Sequence, residues 1–250
     1  MATNNTPELT ACCTPSPTAK VFPQYSFFQE RRAPALPSPT EIKYGADVII
    51  AEVETQVSMR EKLKGRVPIP EVFGWAEDGG QRFIYMSLVE GETLQARFGT
   101  MNESERRLQG AKIYGSIGKR PLNDIFVTGK PEHVGPFLGA NAVQKLHETC
   151  GIDIDDNIPI VLTHNGLCPP NILLSRGPNP RVVGILDWGQ SGRYPSYWEY
   201  CKARRVGVVD EEFTSALQEE WHTAYLPEII DTVDDESFYH PWLYFMLSNI

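Results

Sequence analysis

The densest run of residues able to do chemistry lies between Thr163 and Trp188, THNGLCPPNILLSRGPNPRVVGILDW. His164 opens it, Asn171 stands just before a short apolar run at 172–174, and Asp187 closes a second run at 181–186. Gly177, Pro178, Asn179 and Pro180 between the runs are turn formers, so the spacing predicts a β-hairpin with a medium loop. Folding it brings the amide oxygen of Asn171 and the carboxylate of Asp187 to one end of the ribbon. Both are hard oxygen donors, suited to Mg²⁺ where phosphates supply further ligands. His164 and the turn Gly166-Leu167-Cys168 lead into that end.

The pattern His164-x-x-Leu167-x-Pro169-x-Asn171, followed by Ile-Leu-Asp187-Trp188, resembles the catalytic and metal-binding loops of the aminoglycoside phosphotransferase family. The nearest likeness is to its large fungal branch. The resemblance implies an α+β, protein-kinase-like two-lobe fold, with a small β-rich N-lobe and a mainly helical C-lobe. It also implies ATP and Mg²⁺ as cofactors, with Asn171 and Asp187 as the metal ligands and His164 structuring the loop. In that family an aspartate two residues after the histidine accepts or orients the proton of the attacking hydroxyl. Here the position is Gly166, which has no proton acceptor. Asn165 is not basic, and Cys168 serves only as a thiolate.

The elements that must position these residues come before them. Residues 41–45 form a strand-like run, and residues 47–64 lack Gly and Pro, with Ile49, Ile50, Val53, Val57 and Leu63 at helical spacing. Asp47 suits the N-cap and Gly65 the stop. By resemblance, Lys43 on the strand binds phosphate oxygens, and a helix glutamate orients it. Glu54 is the first choice for that glutamate and Glu52 the second. Residues 67–75 and 82–86 read as strands around a turn at Asp78-Gly79-Gly80. The segment Ser87 to Val89 then falls, by position, at the family's hinge, where backbone groups hold adenine.

The likeness thins in two places. The first glycine of the chain is Gly45, so no Gly-rich phosphate loop precedes Lys43, and the N-lobe reads as truncated. The family's long middle helix is also shortened around residues 103–114. Further on, residues 115–138 read as loop, and helices are expected at 140–148, from 197 (Ser196 as cap), at 211–225 and at 238–247. The aromatic trio Tyr197, Trp198 and Tyr200 reads as core, and Asp153, Asp155, Asp156 and Asp231 to Glu236 as solvated acidic loops.

Composition bounds the remainder. Seven prolines in the first 40 residues exclude a continuous helix or central strand, so residues 1–40 read as a largely disordered arm. Residues 41–90 then form the N-lobe and hinge, and 91–250 the C-lobe. A net charge of −9 argues against nucleic acid as a partner. No apolar run approaches a membrane span, and the N-terminus lacks the pattern of a secretory signal. The five cysteines form no C-x-x-C pair, which suits reduced thiols in the cytoplasm. The expected partners are a nucleotide and a small molecule. The functional reading is phosphoryl transfer to a small-molecule hydroxyl or amine, impaired at Gly166. The alternatives are an inactive pseudokinase that binds a nucleotide or metabolite, and a scaffold retasked in secondary metabolism.

Overall fold

The computed structural model describes residues 20–21, 40–46, 48–106, 124, 130–205 and 213–248. The expectations for the Pro-rich arm (apart from Lys20 and Val21), for Asp47 as a cap and for the shortened middle helix beyond Arg106 lie outside the described residues, as do most of those for 115–138. The chain divides into two units. One takes the described residues up to Val53 together with Glu71–Leu88; the other takes Glu54–Pro70 and everything from Val89 onward.

The first unit is built on an antiparallel sheet in the order β1 (Lys20–Val21), β3 (Val72–Asp78), β4 (Gln81–Ser87), β2 (Thr40–Gly45). Lys20 and Val21 lie opposite Trp75 and Gly74, so this part of the proline-rich arm forms an edge strand. An edge needs pairing on one side only, which is why a proline-rich segment can supply it. The β3–β4 turn holds Gly79 and Gly80 at φ 56° and 78°, the left-handed pair that a tight hairpin twist demands. Phe73, Ala76 and Tyr85 pack with Ile42 and Phe83 to form the unit's apolar face.

Helix α1 (Ile50–Lys62) starts in the first unit and ends in the second. It is shorter than the expected 47–64, and Gly65 follows in the left-handed region. The strand expected over 67–75 begins only at Val72, because Pro68 and Pro70 have no N–H to give a ladder. Their carbonyls are used instead: Pro68 accepts from Ile185 N at 2.9 Å and Pro70 from Gln56 Nε2 at 3.0 Å.

In the second unit β5 (Glu92–Thr93) leads directly into α2 (Leu94–Phe98), where Thr93 caps Ala96 N through its hydroxyl. After α3 (Glu103–Arg106) and α4 (Ala142–Cys150) come β6 (Ile160–Thr163), β7 (Ile172–Leu174), β8 (Val182–Ile185) and β9 (Gly192–Pro195). Strands β5, β7 and β8 form one sheet in that order, and β6 pairs with β9. The helices α5 (Trp198–Arg204), α6 (Ser215–Glu220), α7 (Leu226–Ile229) and α8 (His240–Ser248) complete the unit, with π-helical turns before α7 and α8.

Two apolar clusters hold it together. One joins Met59, Leu63, Leu94, Phe98, Leu174, Trp188 and Trp221; the other joins Tyr194, Tyr197, Trp198, Trp242 and Phe245. The trio Tyr197, Trp198 and Tyr200 is buried. Three local expectations are corrected. Ser196 does not cap α5, whose N-cap is Tyr197 with no side-chain bond. The acidic loops are not merely solvated. Asp156 accepts from His147 Nδ1 at 3.0 Å, and Asp235 holds Arg204 at 2.6 Å, because each faces a cation or ring nitrogen on a packed helix. No described helix is long and apolar enough to cross a membrane.

Candidate active site

Strands β7 and β8 form the predicted hairpin, with Ile172 opposite Ile185. Arg97 of α2 pins its loop, giving one guanidinium nitrogen to Ser175 O at 2.6 Å and another to Gly177 O at 3.1 Å. At the open end the Leu186 N–H donates to Asn171 O at 2.8 Å, which places Asn171 beside the residue preceding Asp187. The Asn171 amide nitrogen donates back to Gly166 O at 2.9 Å, so its Oδ1 is the atom left for a cation. Asp187 sits at φ 59°, ψ 65°, a left-handed conformation uncommon for a residue with a side chain. The hairpin therefore brings the backbones of Asn171 and Leu186, next to Asp187, to one end. Among the described residues no group of three or more His, Cys, Asp or Glu gathers to form a metal cage. An amide oxygen and a carboxylate are a donor pair that would suit Mg²⁺ if water and phosphate supplied the remaining ligands.

His164 is 1% exposed and stacks edge-on against Trp188 at 4.6 Å between ring centroids. Its Nε2 donates to Leu186 O at 2.9 Å, which fixes the tautomer and leaves Nδ1 a lone pair, buried and without a partner. Burial holds its pKa below the ordinary value of 6.5, so the ring is neutral. Burial also pushes the Cys168 thiol up to about 11, which removes it as a thiolate at neutral pH.

The turn after His164 hangs on a residue that sequence reasoning missed. Glu199, 8% exposed on α5, accepts from three successive backbone N–H groups: Asn165 at 2.6 Å, Gly166 at 3.2 Å and Leu167 at 3.1 Å. Its neighbour Asn165, fully buried at φ 64°, donates to Asp124 at 2.8 Å and to Gln190 O at 3.1 Å. The same Asp124 oxygen accepts from Trp198 Nε1 at 2.8 Å and Lys202 Nζ at 3.0 Å. A buried acid-and-lysine network thus fixes the loop from behind. The available signal was Glu199 and Lys202 three apart among Trp198, Tyr200, Cys201 and Ala203, a spacing that puts both on one face.

Gly166 lies outside the left-handed region. A Cβ added there would meet Asn171 Nδ2 and His164 Nδ1 at 3.5 Å, ordinary contact distances. The backbone at 166 therefore has the shape to carry a side chain.

In the first unit Lys43 Nζ pairs with Glu52 at 2.7 and 2.9 Å. This corrects the first choice of Glu54, which is exposed, whereas Glu52 is buried. At the expected hinge part of the backbone is already engaged. The Ser87 N–H donates to Glu71 O at 2.8 Å and its hydroxyl accepts from Glu71 N at 2.9 Å, so Ser87 has only its carbonyl to offer a base. Val89, in the second unit, packs where a Cβ on Gly184 would come within 3.2 Å of its Cγ1.

Residues 133–239, which hold the hairpin, the turn and Glu199, match the family model described as the phosphotransferase enzyme family (APH). Comparison with curated proteins gives no match. Among solved structures, an aminoglycoside-3'-phosphotransferase of type VIII superposes with a TM-score of 0.54 at 18% identity, over 84% of each chain. Aminoglycoside phosphotransferase APH(4)-Ia gives 0.40 at 17% identity over 65% of this chain and 62% of its own. A thermostable mutant of it, in complex with ADP and hygromycin B, gives 0.40 at 16% identity, over 65% and 63%. The first of these likenesses establishes the fold: the kinase-like fold of aminoglycoside phosphotransferases, with a small sheet region first and a helical part after it.

Proposed function

We propose that this chain is an ATP-dependent phosphotransferase whose transfer to hydroxyl or amine acceptors is slowed by the missing carboxylate at Gly166. The single observation that carries this reading is the intact frame around an absent side chain. Glu199 still ties down the turn, and Asn171 still bonds Gly166 O beside Asp187. Asn171 and Asp187 are the metal ligands; bound Mg²⁺ would neutralise phosphate charge. Lys43, oriented by Glu52, is the phosphate-contacting cation of the first unit. A general base is typically worth ~10²–10⁴-fold, while positioning and charge stabilisation remain available without one. The three described cysteines that are free, Cys150, Cys168 and Cys201, suit a cytoplasmic setting.

The second reading, a nucleotide-binding module without turnover, draws on the sealed Nδ1 of His164 and the fully engaged Glu199. Neither offers a replacement base. The test is nucleotide-induced thermal stabilisation with and without Mg²⁺, followed by calorimetry on Asp187→Ala and Lys43→Ala. The expected result is Mg²⁺-dependent ATP binding that Asp187→Ala abolishes, together with weaker metal-free binding in Lys43→Ala. Equal affinity of wild type and Asp187→Ala in Mg²⁺ would sink the metal assignment, and no ATP binding at all would sink the reading.

A further inference from the structure

The turn at Gly166 does more than lack a base; it changes which acceptor the site suits. A hydroxyl must lose a proton as it attacks phosphorus, and three described side chains beside the turn, Glu199, His164 and Asp124, are poorly placed to take one. Both oxygens of Glu199 are bonded to backbone N–H groups. The lone pair of His164 Nδ1 is buried behind the Gly166 position, 3.5 Å from where a Cβ would stand. The described oxygen of Asp124 accepts from three side chains in the interior. A nucleophile that is already deprotonated needs none of them. The glycine also removes a negative charge from the place where an attacking anion would stand. A carboxylate about 4 Å from that anion would cost it on the order of 10²–10³-fold by Coulomb repulsion at an effective dielectric near 20.

We propose that the acceptor at this site is a carboxylate, and that Gly166 is the residue that admits it. The proposal rests on the ATP-dependent phosphotransferase reading above and replaces its hydroxyl or amine acceptor with a carboxylate. A carboxylate oxygen forms a bond to the γ-phosphorus of ATP, and the bond from that phosphorus to the β,γ-bridging oxygen breaks. The bridging oxygen keeps the electron pair and leaves with ADP; no proton is transferred, and the product is an acyl phosphate. A phosphate monoester is a poorer candidate, because its second charge near neutrality raises the repulsion from the γ-phosphate.

The experiment follows ADP release from the full chain with Mg²⁺ and ATP in the presence of acetate, succinate, glutamate or benzoate. Matched arms contain ethanol, glycerol, benzyl alcohol or glycerol phosphate, and acyl phosphate is trapped with hydroxylamine as the hydroxamate. The expected result is hydroxamate formation with at least one carboxylate, at a rate about tenfold or more above its alcohol counterpart. Gly166→Asp should invert that ratio, slowing carboxylates by ~10²-fold or more through repulsion and speeding alcohols through the restored base. If Gly166→Asp fails to fold, the wild-type comparison decides alone. Intact Mg²⁺-ATP binding by thermal shift with no carboxylate-dependent turnover, or faster turnover of alcohols or glycerol phosphate, overturns the carboxylate acceptor and leaves the phosphotransferase reading standing. Absence of nucleotide binding overturns both.

Discussion

Two ends of one loop are built in opposite ways. At Asn171 and Asp187 the oxygen-bearing side chains of the proposed metal site are present, and the backbone is strained: Asp187 is held at φ 59°. At Gly166 the backbone is relaxed and buttressed by Glu199, and the residue has no side chain. The difference shows that the frame of the turn does not depend on residue 166. Its hydrogen bonds run from main-chain N–H groups to a carboxylate on another helix, so replacing the side chain at 166 leaves every one of them in place.

The comparison breaks most readily at the buttress. Glu199→Ala strands three N–H groups in a largely buried turn and should cost about 3–5 kcal/mol of stability, read by denaturant unfolding. Glu199→Gln, which keeps one acceptor oxygen, should lose less. A loss below about 1 kcal/mol for Glu199→Ala would mean that the turn is held by other contacts.

At the strained end the sign reverses. Asp187→Gly should raise stability by about 1 kcal/mol, because glycine adopts the left-handed conformation without a Cβ clash. The same variant should lose any Mg²⁺-dependent response to ATP in a thermal-shift titration. A destabilised Asp187→Gly would show that the side chain contributes more than its backbone strain costs.

His164 makes one contribution to the pH response. His164 has its folded pKa held below 6.5 by burial, so between the two values the unfolded chain binds a proton that the folded chain does not. Stability contributed by the neutral ring is complete above pH 6.5 and falls as pH drops toward the folded value. Chemical unfolding of wild type and His164→Asn across that range should show a steeper decline in wild type; parallel curves would remove His164 as the cause.

The smallest effect belongs to Gly166→Asp as a stability change. With φ outside the left-handed region and the nearest atoms at 3.5 Å, the substitution should shift stability by less than about 1 kcal/mol. A larger loss would mean that the empty position is required by the fold.

Much of this was legible before folding. The hairpin, the pairing of Asn171 with the Asp187 end, the Gly79-Gly80 turn and the buried aromatic trio follow from turn chemistry and apolar spacing, which act over a few residues. The partner of Lys43 was not legible, because Glu52 and Glu54 are both within reach on sequence alone. Burial chose Glu52, which is 3% exposed and two residues from the solvent-facing alternative. The engagement of Ser87 was not legible for a related reason: its N–H is used by Glu71, a partner 16 residues away.

By itself the sequence determined that position 166 carries no carboxylate, since no fold can give a glycine a side chain. It also determined the two oxygen donors of the hairpin, because local turn geometry places them. Tertiary structure alone decided what holds the turn. Glu199 lies 33 residues from Gly166, and Asp124 lies 41 from Asn165. Such pairs leave little mark in local composition, because a buried carboxylate is stabilised by donors that only chain folding brings to it.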